Sequence, residues 1–461
     1  MLEVQKDNMA NDGGLTTVPS LVARLLIEEL SKNSNAYCIL TGYDDLPESF
    51  DSDIDFMVGA QDFERVPEWI AFIAQQTGTR LFQVIPHEAT ARAFRLAHLT
   101  ADGTTFIQPD SCSDYRHFGK LWLKSDEVLE ARRPHPKGFW IPAARHEFLY
   151  YLIKRLNKRD FRQEHGIRLS RLYSEDPANC DVLLRRFWTE DTAQRISKMA
   201  GTGDWRPLIQ KTGLFKEEML QHPAEGWKGR AISRWRNLTH TFERIIQPTG
   251  GWIVFVGPDG CGKSSVIEAV IREFGPAFQQ IVRCHMRPGI FPGRIKPGSV
   301  VTDPHGKPSR SGLASAAKML YLAFDYFLGH FMRVLPAMMR TKLVIFDRYF
   351  YDILVDPKRV RYGGPRWLLR WIAVMLPKPD LVILLNASPE VLWSRKQEVP
   401  FEEVCRQQKM YLELAVKLKH AVVIDAAQPL SDVVHDTAEA IVSCYSKRAR
   451  IRLGLGEGAE A

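Results

Sequence analysis

Between the apolar run Trp252–Val256 and the helical-looking run Ser265–Phe274, the chain reads Gly257-Pro258-Asp259-Gly260-Cys261-Gly262-Lys263-Ser264. No other stretch limits the fold so strongly. Glycines at these positions permit a turn that a side chain would block, and a turn of that kind points successive backbone N–H groups at one spot. The spacing is that of a phosphate-binding loop: the N–H groups surround phosphates, Lys263 reaches the β/γ pair, and Ser264 ligates Mg²⁺. The expected nucleotide contacts are therefore Gly257, Asp259, Gly260, Cys261, Gly262, Lys263, Ser264 and Ser265. A strand before the loop and an amphipathic helix after it supply the context that the motif requires.

A chain of 461 residues exceeds one ordinary core, so two domains of roughly 200 residues each are expected. Hydrophobic content of 45% with 25% charged residues excludes fibrous and wholly disordered classes. The net charge of +8 suits acidic partners such as nucleotides, sugar phosphates or an anionic membrane face. The basic residues are spread out, with no zinc-finger or RNA-recognition signature, so no specific nucleic-acid partner is expected. Seven cysteines without a C-x-x-C pair predict reduced thiols and a cytoplasmic location. The start, MLEVQKDNMANDGG, has no basic region followed by an apolar one and so does not read as a secretory signal. Leu313–Met339 carries Lys318, Asp325, His330 and Arg333, and reads as a long buried helix rather than a transmembrane span.

In chain order, residues 1–16 form a polar arm, and Leu21–Leu30 has helical spacing. Tyr37–Leu40 reads as a strand ending at Thr41-Gly42. From Ser52 to Val58, alternation sends Asp53 and Asp55 to one face and Ile54 and Phe56 to the other. Two carboxylates so placed can share Mg²⁺ if a neighbouring strand adds a third. A hairpin of Phe94–Leu99, the turn at 101–103, and Thr104–Ile107 would deliver Asp110 just past its second strand. Ile141–Lys158 reads as an amphipathic helix, on which His146 and Glu147 are expected to be surface or hydrogen-bonded packing rather than metal ligands. Trp227–Ile246 interleaves aromatic and basic residues; it reads as a solvated helix joining the domains, with peripheral contact to an anionic membrane as the alternative.

The order apolar residue, Gly42, spacer, Asp53-Ile54-Asp55 resembles the nucleotidyltransferase superfamily. That resemblance implies an α+β domain with added helices over 17–240. In such a domain Asp53, Asp55 and Asp110 bind Mg²⁺ and activate a hydroxyl to attack the α-phosphate of a nucleoside triphosphate. Tyr43 departs from the family, which has a small residue there to let phosphates approach the backbone.

After a linker at 241–250, the second domain is expected over 251–446, with a basic and then flexible tail over 447–461. Ile281–Pro288 reads as a strand entering a Gly/Pro-rich loop that lasts to about Gly312. His285, Arg287, Arg294, Lys296, His305, Lys307 and Arg310 make that loop cationic, which fits an anionic small-molecule acceptor. Leu343–Phe346 is an apolar strand ending in Asp347, the arrangement that positions Mg²⁺, with Arg348 beside the transferring phosphoryl group. Pro379–Leu385 is another buried strand, Pro389–Gln397 is a helix ending in Arg395-Lys396, and Ala421–Ala427 is the last strand. Strands and helices alternating in this way predict an α/β doubly wound parallel sheet of the P-loop kinase type.

The sequences GPDGCGKSS, Asp347-Arg348-Tyr349, PDLVILLNASPEVLWSRK and VVIDAAQP together resemble thymidylate kinase. The resemblance implies ATP and Mg²⁺, a nucleoside monophosphate acceptor, and roles for matching residues: Asp259 on the acceptor's sugar, Arg348 on its phosphate, and Arg395 on the phosphates in flight, with Lys396 or Arg406 assisting. The segment Ser394–Pro400 is short for that family's lid. The cationic loop stands where the family builds its base pocket, so a phosphorylated sugar is an alternative acceptor. A nucleotide-dependent switch or scaffold is the competing function, and a homodimer is compatible with either.

Overall fold

A computed structural model describes residues 17–50, 53–117, 120–221, 244–290 and 308–456. The 1–16 arm, most of the basic segment Trp227–Ile246, the end of the tail, and Arg294, Lys296, His305 and Lys307 of the cationic loop lie outside the described residues. The chain divides into two compact units. One comprises Met1–Leu81, Pro86–Leu96 and Ile107–Leu238; the other comprises Phe82–Ile85, Ala97–Phe106 and Thr239–Ala461.

The N-terminal sheet has strands β1 (Tyr37–Thr41), β2 (Asp53–Val58), β3 (Arg80–Glu88), β4 (Ala91–Thr100) and β5 (Gly103–Cys112), in the order β1-β2-β5-β4-β3. It is a mixed sheet: β1 runs antiparallel to β2, and β2 runs parallel to β5. The helix Val18–Asn33 starts where Thr17 Oγ1 accepts from Ser20 N, with Pro19 in its first turn, both being start signals. Two short ribbons follow, β6 (Tyr115–His117) with β7 (Lys120–Leu123), and β8 (Arg133–Pro134) with β9 (Trp140–Ile141). Ala144–Lys158, Gln163–Glu175, Pro177–Leu184 and Glu190–Thr202 then form a helical layer. Phe148, Leu152, Leu172, Trp188 and Trp205 are fully or almost fully buried in its core.

Asp110 lies inside β5 rather than past its end, because β5 continues to Cys112. Turn chemistry located the hairpin, but the length of its second strand depends on pairing with β2, which is distant in sequence.

The second unit holds β10 (Gly251–Val256), β11 (Ile281–His285), β12 (Leu343–Asp347), β13 (Leu381–Asn386) and β14 (Ala421–Asp425), in the order β11-β12-β10-β13-β14. Every neighbouring pair is parallel. This is an α/β fold with the five-stranded sheet of a P-loop kinase. Alternation decides which residue faces which helical layer: Ile253 and Phe255 enter one core with Ile345 and Ile383, while Trp252, Val254 and Val256 enter another with Phe346 and Leu384. Both faces are buried, so these strands read as continuous apolar runs. Since β10 is central, successive crossovers go first to one side of it and then to the other. The C-terminal ends of β10 and β12 consequently border a topological switch point, where such sheets bind ligands.

The stretch expected as one buried helix forms Gly312–Gly329, a π-helical turn at His330–Val334, and Leu335–Met339. Along it Leu320, Phe324, Phe327 and Phe331 are each at least half exposed. High hydropathy measured along the sequence does not report which side of a helix is covered. Among the described residues, no helix is long and apolar enough to cross a membrane.

Gly251 is hemmed in at the start of β10, where a Cβ would lie 2.1 Å from Tyr445 Oη and 3.0 Å from Leu343 Cδ1. Gly251→Ala should therefore destabilise the second unit by about 1–3 kcal/mol, the usual cost of overpacking a close-packed core. The check is a lowered urea midpoint with unchanged far-UV circular dichroism of the folded state.

Candidate active site

In the second unit, the loop following β10 adopts positive φ at Gly257 (146°), Gly260 (85°) and Gly262 (86°). A Cβ on Gly257 would lie 2.4 Å from Leu385 O, and one on Gly260 would lie 2.8 Å from Leu392 O. The loop turns directly into the helix Lys263–Phe274, whose first-turn residues Ser264 and Ser265 are exposed. The unpaired N–H groups of that first turn favour an anion. Lys263 is buried, and its Nζ donates to Gly257 O (2.7 Å), Pro258 O (2.8 Å) and Cys261 Sγ (3.3 Å).

Asp347 ends β12 level with Phe255 on β10 and His285 on β11. Its Oδ2 accepts from Arg283 Nη2 at 2.9 Å and lies 3.9 Å from His285 Nδ1. Burial alone would raise its pKa. The nearby His285 ring, the hydrogen bond from Arg283 and the charge of Lys263 hold the carboxyl well below the usual range. It is thus an ionised, hard oxygen group, of the kind that suits Mg²⁺. Arg283 was not singled out from sequence, although it shares the two-residue alternation of β11 with His285.

Arg348 follows with φ of 74°. Its Nη2 donates to Asp259 Oδ1, and its Nη1 lies 3.3 Å from Asp352 Oδ1. Asp352 also accepts from Tyr411 Oη (2.7 Å) and Tyr349 N (2.9 Å), which fixes the base of this cluster. Arg359, on the short turn Lys358–Val360, donates to Asp259 Oδ2 at 2.6 Å. The structure brings together Asp259 and Arg348 but directs Arg395 elsewhere. The Cβ of Arg395 lies near Gly260, whereas its Nη1 donates to Ala426 O at 2.8 Å. At the start of the cationic loop, Arg287 is paired with buried Asp325 at 3.3 Å, and the same carboxylate accepts from Gly289 N and Ile290 N.

In the first unit, β2–β5 register sets Asp55 directly beside Asp110, with Asp53 two residues back. Ligand oxygens of Asp53, Asp55 and Asp110 all lie within 4.8 Å of one another. Lys154 Nζ approaches Asp55 Oδ2 to 2.5 Å and Asp53 Oδ2 to 3.7 Å. Asp110 Oδ2 accepts from Gln108 Nε2 at 3.1 Å, while its Oδ1 is buried without a hydrogen-bond partner among the described residues. Burial, and then the charges of Asp55 and Asp53, push the Asp110 carboxyl well above its ordinary value. Crowded carboxylates with an orphaned oxygen fit a hard divalent cation.

Gly42 has φ of 73°, and Tyr43 beyond it is buried. The Tyr43 hydroxyl donates to Glu147 Oε2, while Arg168 Nη2 holds Glu147 Oε1 at 2.7 Å. Glu147 is hydrogen-bonded packing, as expected, and it anchors the aromatic ring that departs from the nucleotidyltransferase pattern.

The comparisons with known proteins agree with the geometry of the second unit. The family model for thymidylate kinase matches residues 255–437. This half of the chain is similar to thymidylate kinase. A thymidylate kinase of Leuconostoc citreum (strain KM20) is 28% identical over 222 residues, covering 43% of this chain and 97% of that protein. One of Lactobacillus helveticus (strain DPC 4571) is 27% identical over 219 residues, again with 43% and 97% covered. A probable thymidylate kinase of Archaeoglobus fulgidus is 26% identical over 201 residues, covering 41% and 94%. The chain is an enzyme carrying a P-loop kinase, a phosphotransferase of nucleoside monophosphate kinase-like type. The family match leaves the first unit outside its range.

Two measurements test this account of the first unit. Lys154→Met removes a cation from the carboxylate cluster and should tighten Mn²⁺ binding by about tenfold or more, since a unit charge near 4 Å is worth a few kcal/mol near a protein surface. Calorimetry showing unchanged or weaker Mn²⁺ binding would refute the cluster as a cation site. Burial, and next the charge of Arg145, lower the His146 pKa to about 4, against about 6.5 when unfolded. The folded state resists protonation there, so its contribution is intact above pH 6.5 and is lost as pH falls from 6.5 toward 4, about 3 kcal/mol in all. His146→Gln should flatten that part of the stability profile measured by urea denaturation.

Proposed function

We propose that residues 251–446 form an ATP- and Mg²⁺-dependent kinase that phosphorylates a nucleoside monophosphate, or a related phosphorylated sugar. The observation that carries this reading is the salt bridge between Arg348 and Asp259 beside the phosphate loop, with Lys263 and ionised Asp347 in the same cluster. An arginine of that kind can bind a second anion, which a kinase needs and a nucleotide switch does not.

In the proposed reaction an acceptor phosphate oxygen attacks the γ-phosphorus of ATP, the bond from that phosphorus to the β-bridging oxygen breaks, and ADP leaves. Phosphoryl transfer depends mainly on positioning and charge neutralisation. Lys263 leaves its loop carbonyls to meet the β/γ-phosphates, and the N–H groups of Gly257 and of residues 259–265 hold the chain of phosphates. Arg348 orients the acceptor's phosphate, while Asp259 reaches its sugar. Arg395 is assigned to the migrating phosphoryl group, which requires it to exchange its bond with Ala426 O for the nucleotide. Mg²⁺ would be held by Ser264 and Asp347 and would neutralise charge on the phosphates.

For residues 17–240 we propose a nucleotidyltransferase-like domain that binds a divalent cation through Asp53, Asp55 and Asp110. Replacing both Asp53 and Asp55 by Asn should weaken Mg²⁺ binding there and leave Lys263-dependent chemistry intact.

The kinase reading is tested by ADP formation from ATP with a panel of nucleoside monophosphates, including dTMP, and sugar phosphates. Lys263→Ala should lower turnover by at least about a hundredfold, the scale of losing one preorganised charge-stabilising group, without changing the circular dichroism spectrum. Full activity in that variant, or no acceptor-dependent ADP with any member of the panel, would dispose of the reading.

A further inference from the structure

Resting on the kinase reading, we infer that Arg359 is a second acceptor-binding arginine, and that Asp259 holds the place of an acceptor phosphate between Arg359 and Arg348. The two oxygens of the Asp259 carboxylate are each taken by a different guanidinium, Oδ1 by Arg348 Nη2 and Oδ2 by Arg359 Nη1. Two guanidinium groups converging on one planar anion, each through one N–H, form a cationic pair of the kind that binds phosphate. Arg348 keeps its second partner, Asp352, so a phosphomonoester that takes the place of Asp259 leaves both guanidinium groups matched to anions.

Arg359 is held for this task by its surroundings. Its own N–H donates to Asp356 Oδ1 at 3.3 Å, and Lys318 Nζ donates to Val360 O at 2.8 Å. Arg361 closes the turn with φ of 58° and a bond to Lys358 O. On its outer side, Arg359 Nη2 lies 3.9 Å from Glu398 Oε2, and Lys396 Nζ occupies Glu398 Oε1 at 2.8 Å. Glu398 therefore limits where the guanidinium can swing. Arg348 is nearly buried, whereas the Arg359 side chain is 28% exposed, so Arg359 is the partner that an entering ligand meets. Exchange needs no new cation: acceptor oxygens replace those of Asp259, which is then released toward the acceptor's sugar. The preferred acceptors are phosphomonoesters, and unphosphorylated nucleosides or sugars lack the group that would displace Asp259.

The test is steady-state kinetics of the full chain with dTMP and the other nucleoside monophosphates. Arg359→Gln should raise the acceptor KM about tenfold or more, as expected for losing a charge-assisted fork, with kcat and the KM for ATP within about twofold. Arg359→Lys should fall between the two, since it keeps the charge and loses the fork. An unchanged acceptor KM in Arg359→Gln overturns the inference, as does an equal rise in the KM for ATP. If wild type turns over none of these acceptors, inorganic phosphate is titrated calorimetrically into protein saturated with Mg²⁺ and a non-hydrolysable ATP analogue. Phosphate binding weakened about tenfold in Arg359→Gln supports the assignment; equal binding in both proteins overturns it. Failure of the analogue to bind at all overturns the kinase reading itself, and this assignment with it.

Discussion

The chemistry of the second unit depends on a backbone turn that side chains would obstruct. Gly257, Gly260 and Gly262 each take positive φ, and at Gly257 and Gly260 a Cβ would press against a neighbouring carbonyl. Only because those positions are glycine can the chain leave β10, turn inside a few residues and start the helix at Lys263. The turn places three things at one point: the free N–H groups of the helix start, the Lys263 ammonium, and the C-terminal end of β12 with Asp347. Rigid parallel strands fix the separation between them.

Around this frame the described charges of the site are each matched by a partner. Lys263 is satisfied by loop carbonyls, Arg348 by Asp259 and Asp352, and Asp347 by Arg283 and His285. These bonds are polar, and a ligand oxygen can take the place of the loop carbonyls on Lys263 or of the Asp259 carboxylate on Arg348. A site that stores its cations on internal anions avoids the cost of unpaired buried charge, while keeping them in position for a phosphate. Lys154 among Asp53, Asp55 and Asp110 follows the same logic with the signs reversed.

Much of this was readable in the chain. The order glycine-rich loop, Asp347-Arg348, strand and terminal strand led to the doubly wound sheet, because parallel strands buried on both faces must be continuous apolar runs and helices must separate them. Alternation in β2 correctly put Asp53 and Asp55 on one face. The half-exposed side chains along Gly312–Gly329 differ from the expected buried helix for a physical reason: a helix with many apolar residues reads as buried whether its neighbours cover one side or all of them.

By itself, then, the sequence determined those features whose cause is local: the turn that needs glycine, the alternation that pairs carboxylates, and the apolar runs that become central strands. Tertiary structure alone decided which distant residues share a charge. Asp110 reaches Asp55 only through the register of β5 on β2. Arg283 reaches Asp347 only through that of β11 on β12. Arg359 meets Asp259 because an irregular turn, with no periodicity to betray it, folds back over the loop one hundred residues earlier. Local conformational preference acts over a few residues, whereas ion pairing acts through space, and spacing along the chain carries no record of the latter.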